Sequence, residues 1–337
     1  MKKLYTLSFT LLAIASSFAQ HVPFTGTGTL TANGWTQHSG TVPGQLLILE
    51  TASDNGSSLS YPGLAASTGN RTSIIAGNSE DVNYPTTAAI LATAYYSALI
   101  KPVDNVGMQP NTSVSGDYFL ALGGTAGASL TSLPARVYVR QGVTPNTVNI
   151  GVLNNSGTPA TPAFLAEDFA VGVTYFVVVK YDLASNTASL FLNPTAGGAE
   201  PAASSTNATG TSVAPVTGIA SIAIRQGGNA TTGTGNVEID ELRVGETWAA
   251  VTPASLSVKQ NTIAGLKVYP NPVTNGTLFI STDNNTTKSV TVYDVVGKQV
   301  INTVATSSVN VSSLKSGVYM VKITEEGKTA TRKIVIQ

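Results

Sequence analysis

The sequence predicts an all-β chain, a large two-sheet sandwich of jelly-roll type followed by a small Ig-like β-sandwich. Three observations carry this. Apolar residues come in short runs, several with the period-two alternation of half-buried strands. Turn formers punctuate those runs, with 32 Gly and 16 Pro in 337 residues. Thr86 to Thr93 is the one stretch whose periodicity admits a helix, and Pro85 and the β-branched neighbours oppose it.

The chain begins with the anatomy of a secretory signal peptide over Met1 to Ala19. Lys2 and Lys3 form a positive n-region, Leu4 to Ile14 an apolar core, and Ser17-Phe18-Ala19 a small-x-small cleavage site. Cleavage is expected between Ala19 and Gln20. The apolar run is shorter than the roughly 20 residues a membrane helix needs, so no transmembrane segment is expected. The chain has no Cys. That excludes lipid attachment at cysteine, a disulfide scaffold and thiolate metal sites.

Residues 20–252 read as the large sandwich. Its strands include Leu46 to Leu49, Tyr95 to Ile100 before Lys101-Pro102, Asp117 to Leu122 before a Gly pair, and the alternating Arg136-Val137-Tyr138-Val139-Arg140. Tyr175 to Val179 is apolar on both faces, as an inner strand is. Phe176 to Asn193 reads as strand, turn at Asp182 to Asn186, and returning strand Thr187 to Leu192. Val237 to Gly245 is a late strand leading to Trp248. In that order the hairpin and the Ile239-Asp240-Glu241-Leu242-Arg243-Val244 strand resemble the concanavalin-A-like, laminin-G-like sandwiches of secreted bacterial proteins. The resemblance is firm over the second half of the segment and loose over the first.

That fold family contains enzymes, so the acidic strand must be weighed. Glu238-Ile239-Asp240 resembles the opening of an active-site strand in a glycoside hydrolase family of this fold. Where the family has its second Glu, this chain has Leu242 and Arg243. Alternation places Glu238 and Asp240 on one face and Glu241 on the other. A retaining glycosidase needs two carboxyls converging at about 5–5.5 Å, so no catalytic residue is assigned. His21 and His38 are the two histidines, and neither a G-x-S-x-G elbow nor an H-E-x-x-H motif accompanies them. Gly26-Thr27-Gly28 opens no helix and is no nucleotide fingerprint. Asp81, Asp104, Asp117 and Asp182 are scattered, in keeping with turn chemistry rather than a Ca²⁺ cage. No metal and no cofactor is expected.

The zero formal charge hides an asymmetry. Gln20 to Pro253 carries 7 Lys/Arg against 14 Asp/Glu, a balance of −7, while Leu266 to Gln337 carries 8 against 4, a balance of +4. An acidic domain argues against nucleic acid as a partner.

Residues 253–265 are polar and small and read as an exposed linker. From 266 to 337 the chain reads as about six or seven short strands. Val290, Val292 and Asp294 alternate with Thr291, Tyr293 and Val295, and Gly297-Lys298 is a hairpin turn. Tyr319, Val321 and Ile323 share a face opposite Val318, Met320 and Lys322. Tyr269-Pro270-Asn271-Pro272 excludes helix and central strand, because its prolines lack N–H donors. These motifs, with Gly317-Val318-Tyr319 and the closing Ile334-Val335-Ile336-Gln337, resemble the type A C-terminal sorting domain of the type IX secretion system. The resemblance implies the secretion machinery as partner and passage through the periplasm to the cell surface or medium. It also implies removal of the tail at the linker by a surface peptidase, with the product released or coupled to a surface lipopolysaccharide.

The expected whole is an exported, non-catalytic sandwich that binds a glycan or another surface partner. A structural or adhesive protein without a small ligand, or an unusual glycoside hydrolase, are the alternatives. Trp35 and Trp248 are the candidate ligand platform, with Tyr61 and Tyr84 as further aromatic candidates.

Overall fold

In the computed structural model, residues 19–22, 24–49, 58–155, 161–211, 214–255 and 263–337 are described. The expected signal peptide through Phe18 and the middle of the expected linker lie outside them. The chain divides into two compact units, up to Ser255 and from Leu256.

Two antiparallel sheets make the first unit. One runs in the order Ser205–Asn207, Thr187–Leu192, Tyr175–Asp182, Thr93–Pro102, Val237–Gly245, Arg71–Ile74, Leu47–Leu49, Gly28–Thr29, with Ala19–Val22 also paired to Val237–Gly245. The other runs Ala163–Phe164, Thr147–Leu153, Arg136–Gln141, Asp117–Gly123, Ile219–Arg225, Asp81–Ile90, Thr36–Ser39, with Phe169–Ala170 also on Thr147–Leu153. The chain crosses between sheets repeatedly, so spatial neighbours are distant in sequence, as a jelly roll requires. Alternate residues of each strand point inward. Val137, Val139, Ile150, Ile222 and Ile224 of one sheet join Ala98, Val177, Val179, Ile239 and Val244 of the other in a single core.

The expected strands appear where the periodicity placed them, and the Asp182–Asn186 turn returns as Thr187–Leu192. The helical option at Thr86–Thr93 is corrected: Asp81–Ile90 and Thr93–Pro102 are both strands. Pro85 fits because Thr36–Ser39 pairs only with Asp81 to Asn83, leaving the rest of that side without a strand. A missing N–H costs nothing there. The Gln20 side chain takes the vacant place, donating to the Pro85 carbonyl at 3.1 Å and accepting from the Thr87 N–H at 3.0 Å.

The second unit is a small sandwich of two sheets. One orders Lys267–Tyr269, Thr277–Ser281 and Ser308–Asn310; the other orders Gln299–Ala305, Lys288–Tyr293, Gly317–Glu325 and Lys328–Ile336. Val290, Val292, Val321, Ile323, Ile334 and Ile336 fill its core with Leu278 and Ile280. Gly297 has φ 82° in the turn that Asp294 closes by accepting from the N–H groups of Val296 and Lys298, a geometry that favours glycine. Between two prolines, the Asn271 amide donates to the Lys333 carbonyl at 3.1 Å and accepts from the Val335 N–H at 2.8 Å. The motif thus lays a side-chain amide along the free edge of the last strand.

Both ends of the expected linker are engaged. Pro253 accepts from the Ala65 N–H, Ser255 donates to the Gly63 carbonyl, and Ala254 bridges Leu64, so this stretch is docked on the first unit. At the other end Ile263 is buried in the core of the second.

Candidate functional site

The acidic strand Val237–Gly245 lies at the centre of its sheet and is buried throughout. Its register slips between Asp240 and Arg243, and Glu241 takes φ 51°. This β-bulge resets the alternation. Ile239 and Leu242 both enter the core. Glu241 therefore stands with Asp240 and Arg243, not on the opposite face as strict alternation predicts.

Each acid of this strand is engaged in holding the fold. Glu238 lies 3.1 Å from Arg71 and 3.3 Å from Lys101. Asp240 accepts from the N–H groups of Leu59 and Glu241, both at 2.7 Å; burial pushes its carboxyl up to about 7 against those donors. Glu241 accepts from the Thr68 N–H at 2.7 Å and from Arg243, and sits 3.2 Å from His21. Burial works to raise the Glu241 carboxyl, but the His21, Thr68 and Arg243 donors outweigh it and hold it low. These carboxylates pin the 58–71 segment and the Ala19–Val22 strand to the sheet.

The candidate aromatic platforms are also core. Trp35 stacks on Phe24 at 5.9 Å and touches Tyr84, and only 5% of it is exposed. Trp248 is 7% exposed, packs edge-on against Phe191 and Tyr95, and donates its indole N–H to the Gly198 carbonyl. Trp35 also lines a small pocket of about 90 Å³ with Asn33 and Tyr84. Tyr61 packs on Phe176. His38 is half-buried beside Asn83, and desolvation lowers its pKa to about 4. Asp104 and Asp182 do turn work, accepting from the N–H groups of Val106 and Ser185. Asp81 and Asp117 both face Arg225. Among the described residues no group of acids and histidines is placed to hold a metal ion.

An open cleft of about 470 Å³ lies at one edge of the sandwich, lined by Leu165, Glu167, Phe169, Leu192, Asn193 and Ser204. The short strand Phe169–Ala170 brings Phe169 to it, with the ring half-buried and held edge-on by Tyr175 at 5.6 Å. Glu167, Asn193 and Ser204 are exposed around that ring. Asp168 points elsewhere and accepts from the Val143 and Thr144 N–H groups and the Asn149 amide. Sequence reading passed over this site. The available signal was Phe164-Leu165-Ala166-Glu167-Asp168-Phe169, two aromatics bracketing two acids.

The second unit is of the class its strands define, a small sandwich with a side-chain amide sealing its last strand. Residues 267–337 match the family described as the secretion system C-terminal sorting domain. The chain therefore carries a type IX sorting tail and is exported to the cell surface or the medium. Among the described residues no helix is long and apolar enough to cross a membrane.

A search of curated proteins finds no match. Solved structures similar to the chain include peanut lectin, 9% identical, with TM-score 0.37, covering 68% of this chain and 97% of that one. The exoplasmic/lumenal domain of VIP36 in its Ca²⁺/Man-bound form is 11% identical, with TM-score 0.32, covering 68% and 90%. A sialidase is 12% identical, with TM-score 0.38, covering 68% of this chain; the match spans only 18% of the sialidase.

Proposed function

We propose that the exported first unit binds a carbohydrate, without catalysis, in the edge cleft. The observation that carries this is the half-buried Phe169 ring with exposed Glu167, Asn193 and Ser204 around it. A sugar ring has an apolar C–H face and a rim of hydroxyls. Phe169 takes the face, while the Glu167 carboxylate and the Asn193 amide N–H take the rim, in a cleft of ordinary ligand size. The Asn193 oxygen and the Ser204 hydroxyl oxygen already accept from the Phe176 and Leu192 N–H groups. Among the described residues Glu167 is the one carboxylate lining that cleft, since Asp168 is spent on its own turn. Hydrolysis with two converging carboxyls therefore has no place there.

The test is a glycan array with the full chain. Binding should fall at least tenfold in Phe169→Ala while the melting temperature stays near that of the parent. Equal binding by the variant, or no glycan bound at all, sinks the reading and moves the weight to a structural or adhesive surface protein. Incubation with β-glucans, galactans and xylans should release no product. Product release that disappears in Glu238→Gln would establish the glycosidase instead.

A further inference from the structure

Between Gln20 and Pro253 there are 7 basic side chains. Arg71 and Lys101 pair with Glu238, Lys180 with Glu200, Arg225 with Asp117 and Asp81, and Arg243 with Glu241. Arg136 and Arg140 have no carboxylate partner among the described residues. They also share one strand, Arg136–Gln141, and one face of it, because the intervening Val137 and Val139 point into the core.

Both guanidiniums are positioned by groups that leave their charge free. Arg136 lies 4.4 Å from the centre of the Tyr118 ring and donates its Nε–H to the Leu133 carbonyl. Arg140 lies 4.0 Å from the centre of the Phe164 ring, donating to the Ser113 carbonyl and the Asn149 side-chain oxygen. Gly151 makes room for that ring, since a Cβ there would come within 2.8 Å of Phe164. Stacking on a ring fixes the plane of the guanidinium fork and removes much of the rotamer freedom that binding would otherwise have to restrict. Both side chains remain half-exposed.

We propose that this outer face of the eight-stranded sheet binds an anionic polysaccharide, with Arg136 and Arg140 each receiving one carboxylate or sulfate of the chain. Four residues of extended strand separate the arginines by roughly 13 Å. A single small anion cannot reach both, whereas a sugar polymer charged at intervals can. Sparse charge is also what the domain's balance of −7 permits, because a densely charged phosphate backbone would be repelled by it. Phe164 pairs with Gly151 and Phe169 with Val148, so the arginine face borders the Phe169 cleft but binds through different side chains. The proposal stands whether or not that cleft binds a sugar.

The probes are polygalacturonate, dextran sulfate, neutral dextran and duplex DNA, each titrated against the full chain at low and at physiological salt. Binding to one or both anionic polysaccharides, weakened by salt and absent for neutral dextran, is expected. The two anionic arms distinguish carboxylate from sulfate. Arg136→Gln with Arg140→Gln should lower the affinity at least tenfold. The paired Arg→Lys changes keep the charge but lose the fork and the stacking, and should give an intermediate loss. Phe169→Ala should change nothing in this assay. No retention of either anionic polysaccharide at low salt overturns the proposal. So does equal retention by a folded double Gln variant, or tighter binding to DNA than to the polysaccharides.

Discussion

Single residues on the central strand work as fasteners. Glu241 is fully buried and serves an N–H group, a guanidinium and an imidazole at once. Its removal leaves Arg243 buried without its partner, and such a loss costs about 3–5 kcal/mol. Glu241→Ala should show this in denaturant melts, far beyond the effect of an ordinary surface substitution. His38 gives a pH signature. Its folded pKa of about 4 lies below the ordinary 6.5, so between those values the unfolded chain binds the extra proton. Stability from this group is complete above 6.5 and is lost as pH falls toward 4. An NMR titration of the imidazole should find the low midpoint, and His38→Phe should flatten the fall in melting temperature over that window. The chemistry of Glu238, Asp240 and Glu241 was visible in the sequence as an acidic strand. Their geometry was not, because a one-residue bulge moves Glu241 across the sheet without leaving any mark in composition. Trp35 and Trp248 illustrate the same limit. A tryptophan between polar neighbours reads alike in a core and on a rim, and only the packing of Phe24 or Phe191 decides.

At the scale of elements the strand pattern was largely legible. Period-two runs such as Arg136 to Arg140 became strands of nearly the expected length, because alternation alone determines which face is buried. The short edge strands Ala163–Phe164 and Phe169–Ala170 were not legible, being two residues long each. They are nonetheless what shapes the cleft. In the sorting tail, the strand Lys328–Ile336 carries the clearest consequence. Ile334 and Ile336 are core, and Asn271 and Val273 bond to its outer edge. Deleting Ile334 to Gln337 should unfold the tail and hold the protein in the periplasm with its first unit intact. Asn271→Ala removes two partly exposed hydrogen bonds, worth about 1 kcal/mol together, and should slow export rather than stop it. Cell fractionation with immunoblotting separates the two outcomes. Surface delivery of the truncated chain at the normal rate would show that this strand is not read.

For the molecule as a whole, the two units differ in job and in charge, −7 for the sandwich and +4 for the tail. The resemblance of the tail to a type IX sorting domain was readable because its motifs are backbone devices, prolines, turn glycines and a capping Asn, whose spacing survives in sequence. The candidate cleft of the sandwich was not readable, since its lining groups converge from strands far apart in the chain. Pro253 to Ser255 are bonded to the first unit and Ile263 is buried in the second, so if the tail is removed as the resemblance implies, the cut is expected between these anchors. Mass spectrometry of the surface or medium form should place the new C-terminus within that window. Fusing residues 266–337 behind an inert reporter with a signal peptide should send the reporter out of the cell. A mature C-terminus upstream of Pro253 would contradict the docking.

The pairing of Ala19–Val22 with Leu242 to Gly245 also governs timing. The first described strand has no place to settle until a strand more than two hundred residues later has arrived. Closing so long a loop is slow and yields contacts only at the end. A chain threaded head first through the inner membrane must therefore remain incomplete until Gly245 has emerged, and the sandwich locks only when the sorting tail is next in line. Assembly and dispatch are thereby placed in order by topology alone, the cargo closing just before its address becomes available to be read.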